Sequence, residues 1–196
     1  RFPESLGTRV NALVIAQSTY TNPVETTSGS AFYRPLQEPV LRPLCWGMIG
    51  LAPICRVLNW LSYLNGSAAR STERSSFSGD ETREQLEFLT RAYCESPPDV
   101  VGRGMLAMMD YDATTILDLI TVPVLVVTGD RDSTCLPEAS KFIVSRVPDA
   151  RLVVLPNSKH CGLFEHHEAF YLSLEGFLEQ ACSAPHSQGM RYEPIS

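Results

Sequence analysis

The run Val122-Pro-Val-Leu-Val-Val-Thr-Gly-Asp-Arg-Asp132 constrains this chain more than any other stretch. From Val122 to Val127 it is almost unbroken apolar and β-branched, with no alternation of polar residues. Such a run predicts a strand buried on both faces, the usual situation in a parallel sheet whose two sides are covered by helices. About six residues suit a strand and fall short of a helix. Pro123 stands at the start, where a missing N–H is tolerated. Gly129 ends the run, and Asp130 and Asp132 follow it directly. In open parallel sheets, ligands and reactive groups collect beyond the carboxyl ends of the strands. Either carboxylate is therefore a candidate for chemistry, and either could equally be a solvated turn residue.

Two further runs have the same character. Arg9 to Ala16 predicts an earlier strand, and Arg151 to Leu155 a later one. Between the last two lies Pro137 to Val147, amphipathic through Ala139, Phe142, Ile143 and Val147. A final helix is expected to run to about Ala181, with Phe170, Leu172, Leu174, Phe177 and Leu178. Strand, helix, strand, helix at this spacing is a βαβ arrangement, which closes with a right-handed crossover. The fold class is α/β.

The middle of the chain reads differently. Gln17 to Pro35 is rich in Ser, Thr, Gly and Asn and predicts loop. Leu36 to Leu64 is strongly apolar, but Arg42, Arg56, Pro39, Pro43 and Pro53 interrupt it. We expect two or three short helices there and no membrane span, which would need about 20 apolar residues in a row. Asn65 to Gly79 reads as a polar linker. Ser78-x-x-Glu81 resembles a capping box, predicting a helix from about Gly79 to Cys94 with Leu86, Leu89, Ala92 and Tyr93 on its apolar side. Pro97-Pro98 suits the first turn of another helix, running to about Met109.

Totals narrow the function. With 196 residues and 44% hydrophobic residues, the chain can bury one sizeable core. Its 16 basic and 22 acidic residues leave a net charge of −6. That argues against nucleic acid as a partner, since phosphate binding needs a basic stripe. Six cysteines occur without a CxxC pair, which excludes a zinc ribbon and a thioredoxin motif. Scattered cysteines in a chain of this size fit a reducing compartment, so a cytoplasmic location is expected. Arg1-Phe-Pro-Glu-Ser5 lacks the apolar core of a signal peptide. An opening Arg and an early strand lead us to expect further sequence upstream.

The candidate chemistry lies in two loops. One follows the second predicted strand and carries Asp130 and Asp132. The other, Pro156-Asn-Ser-Lys-His-Cys-Gly162, follows the third and carries His160. Neighbouring parallel strands would open both loops on one edge of the sheet. An Asp held against a His there fixes the imidazole tautomer and prepares it as a general base.

The pattern Val122-Pro-Val-Leu-Val-Val-Thr-Gly-Asp-Arg-Asp, with Pro137, followed by Leu155-Pro-x-x-x-His160-x-x-x-x-Glu165, resembles the C-terminal part of the α/β-hydrolase fold family. The resemblance is specific over about residues 119–180. It implies a partial α/β-hydrolase fold: parallel strands, flanking helices and an inserted α-helical cap. Residues 1–17 would be hydrolase core after the nucleophile helix, 18–118 the cap, 119–182 the C-terminal core, and 183–196 a loose tail. It places Asp132 as the triad acid and His160 as the base, with Asp130 second in rank. Glu165 matches a common acidic position to which the residues assign no role. The family's G-x-S-x-G nucleophile turn is absent from this sequence, so the nucleophile is expected upstream and the chain alone is expected to be inactive. The implied enzyme is a cofactor-free, metal-free hydrolase of a small, apolar, ester-like substrate. Trp46, Trp60, Tyr63, Met105 and Met108 are the candidates for gripping it, or else they pack a core. The competing reading is a non-catalytic member of the fold that binds ligands or partners. Cys135 and Cys161 flank the two candidate residues and could render them sensitive to oxidation. His166 and His167 read as surface residues at the start of the last helix.

Overall fold

The computed structural model describes residues 5–183. The tail expected over 183–196, apart from Ser183, lies outside the described residues. In chain order the elements are β1 (Leu13–Ala16), α1 (Pro23–Thr26), α2 (Ser30–Tyr33), α3 (Arg42–Gly50), α4 (Ala52–Leu64), α5 (Ser67–Ser76), α6 (Arg83–Glu95), α7 (Pro98–Met109), β2 (Val124–Gly129), α8 (Pro137–Arg146), β3 (Ala150–Leu155), α9 (Gly162–Glu165) and α10 (His167–Ser183). A 3-10 turn and a π turn bridge α2 and α3.

The three strands form one parallel sheet in the order β1-β2-β3. Leu13 pairs with Val124, and Val124 with Ala150. Every residue of β2 is buried, and Val124, Leu125, Val126 and Val127 are wholly inaccessible. Burying each such side chain contributes about 1.5–3 kcal/mol. Val124 and Val126 pack with Leu117, Ile143 and Val147 beneath α8. Leu125 and Val127 point the other way, onto Leu155 and Phe177 of α10. A strand sandwiched between helices on both sides has no need of polar alternation, which accounts for the unbroken apolar run.

The neighbouring strands depart from the expectation. Arg9 to Ala16 yields only four strand residues, because β2 begins at Val124 and offers nothing to pair with residues before Leu13. β3 was expected to be buried on both faces, yet Arg151 and Val154 are exposed. Among the described residues it is an edge strand.

Everything from α1 to α7 is inserted between β1 and β2. The two ends of this insertion are tied together where the Ala113 N–H donates to the Tyr20 carbonyl at 2.7 Å. Three expectations within it are corrected. Gln17 to Pro35, expected as loop, holds the short helices α1 and α2. Asn65 to Gly79 is no linker, since most of it is α5, whose packed side is the small polar pair Thr72 and Ser76. Ser78-x-x-Glu81 does not start α6; Thr82 and Gln85 form the capping box instead, each side chain bonded to the other's backbone N–H. Ser78 is diverted to a tertiary partner, Glu165. No single helix among the described residues is long and apolar enough to cross a membrane.

Candidate active site

Both candidate loops emerge from the carboxyl ends of adjacent strands, as parallel pairing requires. The Asp loop leaves β2 at Gly129 and the His loop leaves β3 at Leu155. The loops touch at once. The Arg131 N–H donates to the Ser158 carbonyl at 2.9 Å, and the Ser158 N–H donates to Asp130 Oδ1 at 3.0 Å. Gly129 allows this approach. A Cβ there would lie 2.2 Å from the Ser158 carbonyl oxygen, so no side chain fits.

Asp132 and His160 meet: Nδ1 of the imidazole lies 2.9 Å from Asp132 Oδ2. Asp132 is almost completely buried, while the His160 side chain is 30% exposed. The other carboxylate oxygen, Oδ1, accepts the Thr134 and Cys135 N–H groups at 2.8 and 2.9 Å. Two backbone donors and one ring nitrogen thus fix the carboxylate. A carboxylate only accepts, so Nδ1 donates, and in the neutral ring Nε2 is the nitrogen left with a lone pair. The carboxylate end of the pair is anchored, and the ring end is partly exposed.

Asp130 takes a different role. It is exposed, does not touch His160, and braces the His loop through Ser158. That backbone bond is the main reason its carboxyl is held below the ordinary Asp range. Of the two carboxylates that the sequence left open, the structure brings only Asp132 to the imidazole.

Several contributors escaped the sequence reading. Gln17, at the end of β1, is buried with φ of 45°, a left-handed backbone rare for a non-glycine residue. Its N–H donates to Val127, and its side-chain Nε2 donates to the Lys159 carbonyl at 2.7 Å, next to His160. A polar residue closing an apolar strand, as Asp130 closes β2, was the available signal. Glu165 is buried and accepts the Ser78 N–H, the Ser78 hydroxyl and the Asp80 N–H, at 2.9, 2.8 and 2.8 Å. It therefore ties the strap between α5 and α6 to the His loop. The Cys161 N–H donates to the Ser76 carbonyl, and Lys159 Nζ to the Arg74 carbonyl, along the same seam.

Burial pushes the Cys135 thiol up to about 11, with the Asp132 carboxylate adding to the effect. Burial also raises Cys161, against hydrogen bonds from Tyr93 and Ser76. His167 is exposed at the start of α10, but His166 is half-buried, with Nε2 3.2 Å from the Asn157 carbonyl. Its neighbours are Asp80 and Glu165, with ligand atoms all within 4.8 Å of one another. Ser78, Asn157 and backbone groups already bond to these three residues.

The five candidate substrate contacts are not gathered into one cavity. Met105 and Met108 line an apolar cleft of about 380 Å³ with Tyr33, Leu44 and Met48, and Thr134 of the Asp loop is at its rim. Trp60 lines a separate cleft of about 540 Å³ between α4 and α7, with no residue of either catalytic-candidate loop. Tyr63 packs edge-on against Trp60 and donates its hydroxyl to Glu87. Trp46 is exposed and lines neither cleft.

No protein-family model matches the sequence. A proline iminopeptidase of Lacticaseibacillus rhamnosus is 34% identical over 84 residues, 43% of this chain and 28% of that protein. A pimeloyl-[acyl-carrier protein] methyl ester esterase of Neisseria meningitidis is 30% identical over 99 residues, 50% of this chain and 32% of that protein. Among solved structures, a thermophilic esterase from Thermogutta terrifontis superposes with a TM-score of 0.64 at 18% identity, covering 92% of this chain and 60% of its own. The enol-lactonase of Burkholderia xenovorans gives 0.62 at 15% identity, covering 90% and 60%. The chain thus spans about a third of the relatives that it matches in sequence and three-fifths of those that it matches in structure. With its parallel strands, flanking helices and helical insertion, the chain has a partial α/β-hydrolase fold.

Proposed function

We propose that this chain supplies the acid and the base of a nucleophile–His–acid hydrolase acting on an ester-like bond. The contact of His160 Nδ1 with the buried Asp132 carboxylate, at the carboxyl ends of adjacent parallel strands, carries the proposal. His160 Nε2 takes the proton of a nucleophile and returns it to the leaving group. Asp132 holds the ring in the required tautomer and stabilises the imidazolium that forms. The nucleophile is not contributed by a G-x-S-x-G turn of this sequence, so it comes from residues outside these 196. The chain by itself is accordingly inactive. The cleft beneath Met105 and Met108 supports an apolar acyl or alkyl group, because its rim residue Thr134 also holds Asp132. Residues 18–118 act as the cap over that group.

The test is p-nitrophenyl ester turnover by the complete protein, with His160→Ala and Asp132→Asn compared with wild type. Loss of a triad member typically costs several orders of magnitude in kcat, so a drop of at least about a thousandfold is expected for His160→Ala. Equal rates would refute the proposal. They would favour the second reading, a ligand-binding member of the fold, which the missing G-x-S-x-G turn keeps in play.

A further inference from the structure

The helix α4 is inside out. Its half-buried side is Ala52, Cys55, Asn59, Ser62 and Tyr63, small or polar residues packed toward α5 and α6. Its outward stripe is Ile54, Val57, Leu58, Leu61 and Leu64, each more than half exposed. This i, i+3, i+4, i+7 spacing is the pattern that a soluble helix turns toward its core. Trp46 and Leu44 of α3 are equally exposed, and the helical segments Ser30–Gly50 and Ala52–Leu64 meet at 94°. An apolar surface of this extent marks an interaction site.

Charge selects the occupant. Between Glu38 and Glu73 the chain carries Arg42, Arg56 and Arg70 and no carboxylate, although it holds 22 acidic residues in all. Arg42 is paired with Glu38 and Asp110, but Arg56, Arg70 and Arg74 have no carboxylate partner among the described residues. The next helix, α5, follows α4 after Asn65 and Gly66. It presents Ser67, Arg70, Ser71, Arg74 and Ser75 along one side, lining a shallow concavity of about 470 Å³. Guanidinium and hydroxyl donors in a row suit phosphate oxygens. An apolar helix followed by a hydroxyl-rich one bearing Arg70 and Arg74, with Glu73 its single carboxylate, matches a layer whose molecules have an apolar tail and an anionic phosphate head.

We propose that α4 and α5 form a docking surface for an anionic phospholipid bilayer, with α4 lying in the interface and Arg70 and Arg74 on the headgroup phosphates.

The full chain is sedimented with vesicles of phosphatidylcholine alone and of phosphatidylcholine doped with phosphatidylglycerol. Binding is expected to favour the doped vesicles and to weaken as salt rises. Arg70→Gln with Arg74→Gln should cost about 25-fold on doped vesicles, at about fivefold per arginine near an anionic surface. Ile54→Ser with Leu61→Ser, both exposed positions, should abolish binding while leaving the circular dichroism spectrum unchanged. Failure to sediment with doped vesicles overturns the proposal, as does unchanged binding by both double variants. A concentration-dependent dimer that the Ile54→Ser, Leu61→Ser variant dissolves assigns the face to a second copy instead. Binding of inorganic phosphate at Arg70 and Arg74 without vesicle binding makes it a free-anion site.

Discussion

Removing the Glu165 side chain should detach the α5–α6 strap from the His loop. Its carboxylate accepts three hydrogen bonds from Ser78 and Asp80, two of them from backbone N–H groups. A hydrogen bond to a charged group contributes about 1.5–3 kcal/mol net. Three sharing one acceptor are not additive, and the strap is partly wetted. For Glu165→Ala we therefore expect a loss of about 3 kcal/mol, near the upper end for single substitutions. Glu165→Gln keeps one acceptor oxygen but turns an NH2 toward donors, for a loss of about 1–2 kcal/mol. With a urea m-value of about 2 kcal/mol/M, the alanine variant's midpoint should fall by about 1.5 M at unchanged m. Hydrogen exchange gives the local test, since the Ser78 and Asp80 amides should lose protection in the variant before the β2 amides do. A midpoint shift below about 0.3 M, or unchanged protection at both amides, would refute the assignment of Glu165 as the tie.

Gly129→Ala forces a Cβ to within 2.2 Å of the Ser158 carbonyl, so the His loop must shift. A loss of at least about 2 kcal/mol is expected by thermal melting, together with a displaced His160 imidazole resonance; an unmoved resonance would contradict the close approach. Cys135 should resist alkylation. With its thiol near 11, the thiolate fraction at pH 8 is roughly two-hundredfold lower than for a free cysteine of pKa about 8.5, and mass spectrometry after iodoacetamide should show this lag until the chain unfolds. The same raised thiol removes stability as pH climbs. Below about 8.5 both states keep the proton, whereas between there and about 11 only the unfolded state gives it up. A midpoint that does not fall across that window would be inconsistent with this burial.

The parts legible in the sequence were those written in local chemistry. The buried strand from Val124 to Val127 announces itself by β-branching without alternation, and Asp132 and His160 by where such strands stop. The insertion was less legible because its helices obey tertiary demands. The helix α5 has almost no apolar stripe, so its composition reads as linker although Ser76 and Phe77 are buried. Ser78-x-x-Glu81 and Thr82-x-x-Gln85 are equivalent start signals, and only Glu165, 87 residues after Ser78, decides between them. Gln17 and Glu165 support the Asp–His pair through backbone contacts that leave no spacing rule behind. The candidate binding residues were chosen by chemical type alone, and type does not say which side of a helix meets which cleft.

The seam along Arg74, Ser76, Ser78 and Asp80 carries a mechanical consequence. A flap stitched down along one margin can only open from the other. The stitches join it to the very loop that carries the imidazole, so lifting that margin would disturb His160. On the proposed function, a molecule entering or leaving would pass the opposite flank, near α1, α3 and α7, where the Met105 cleft opens.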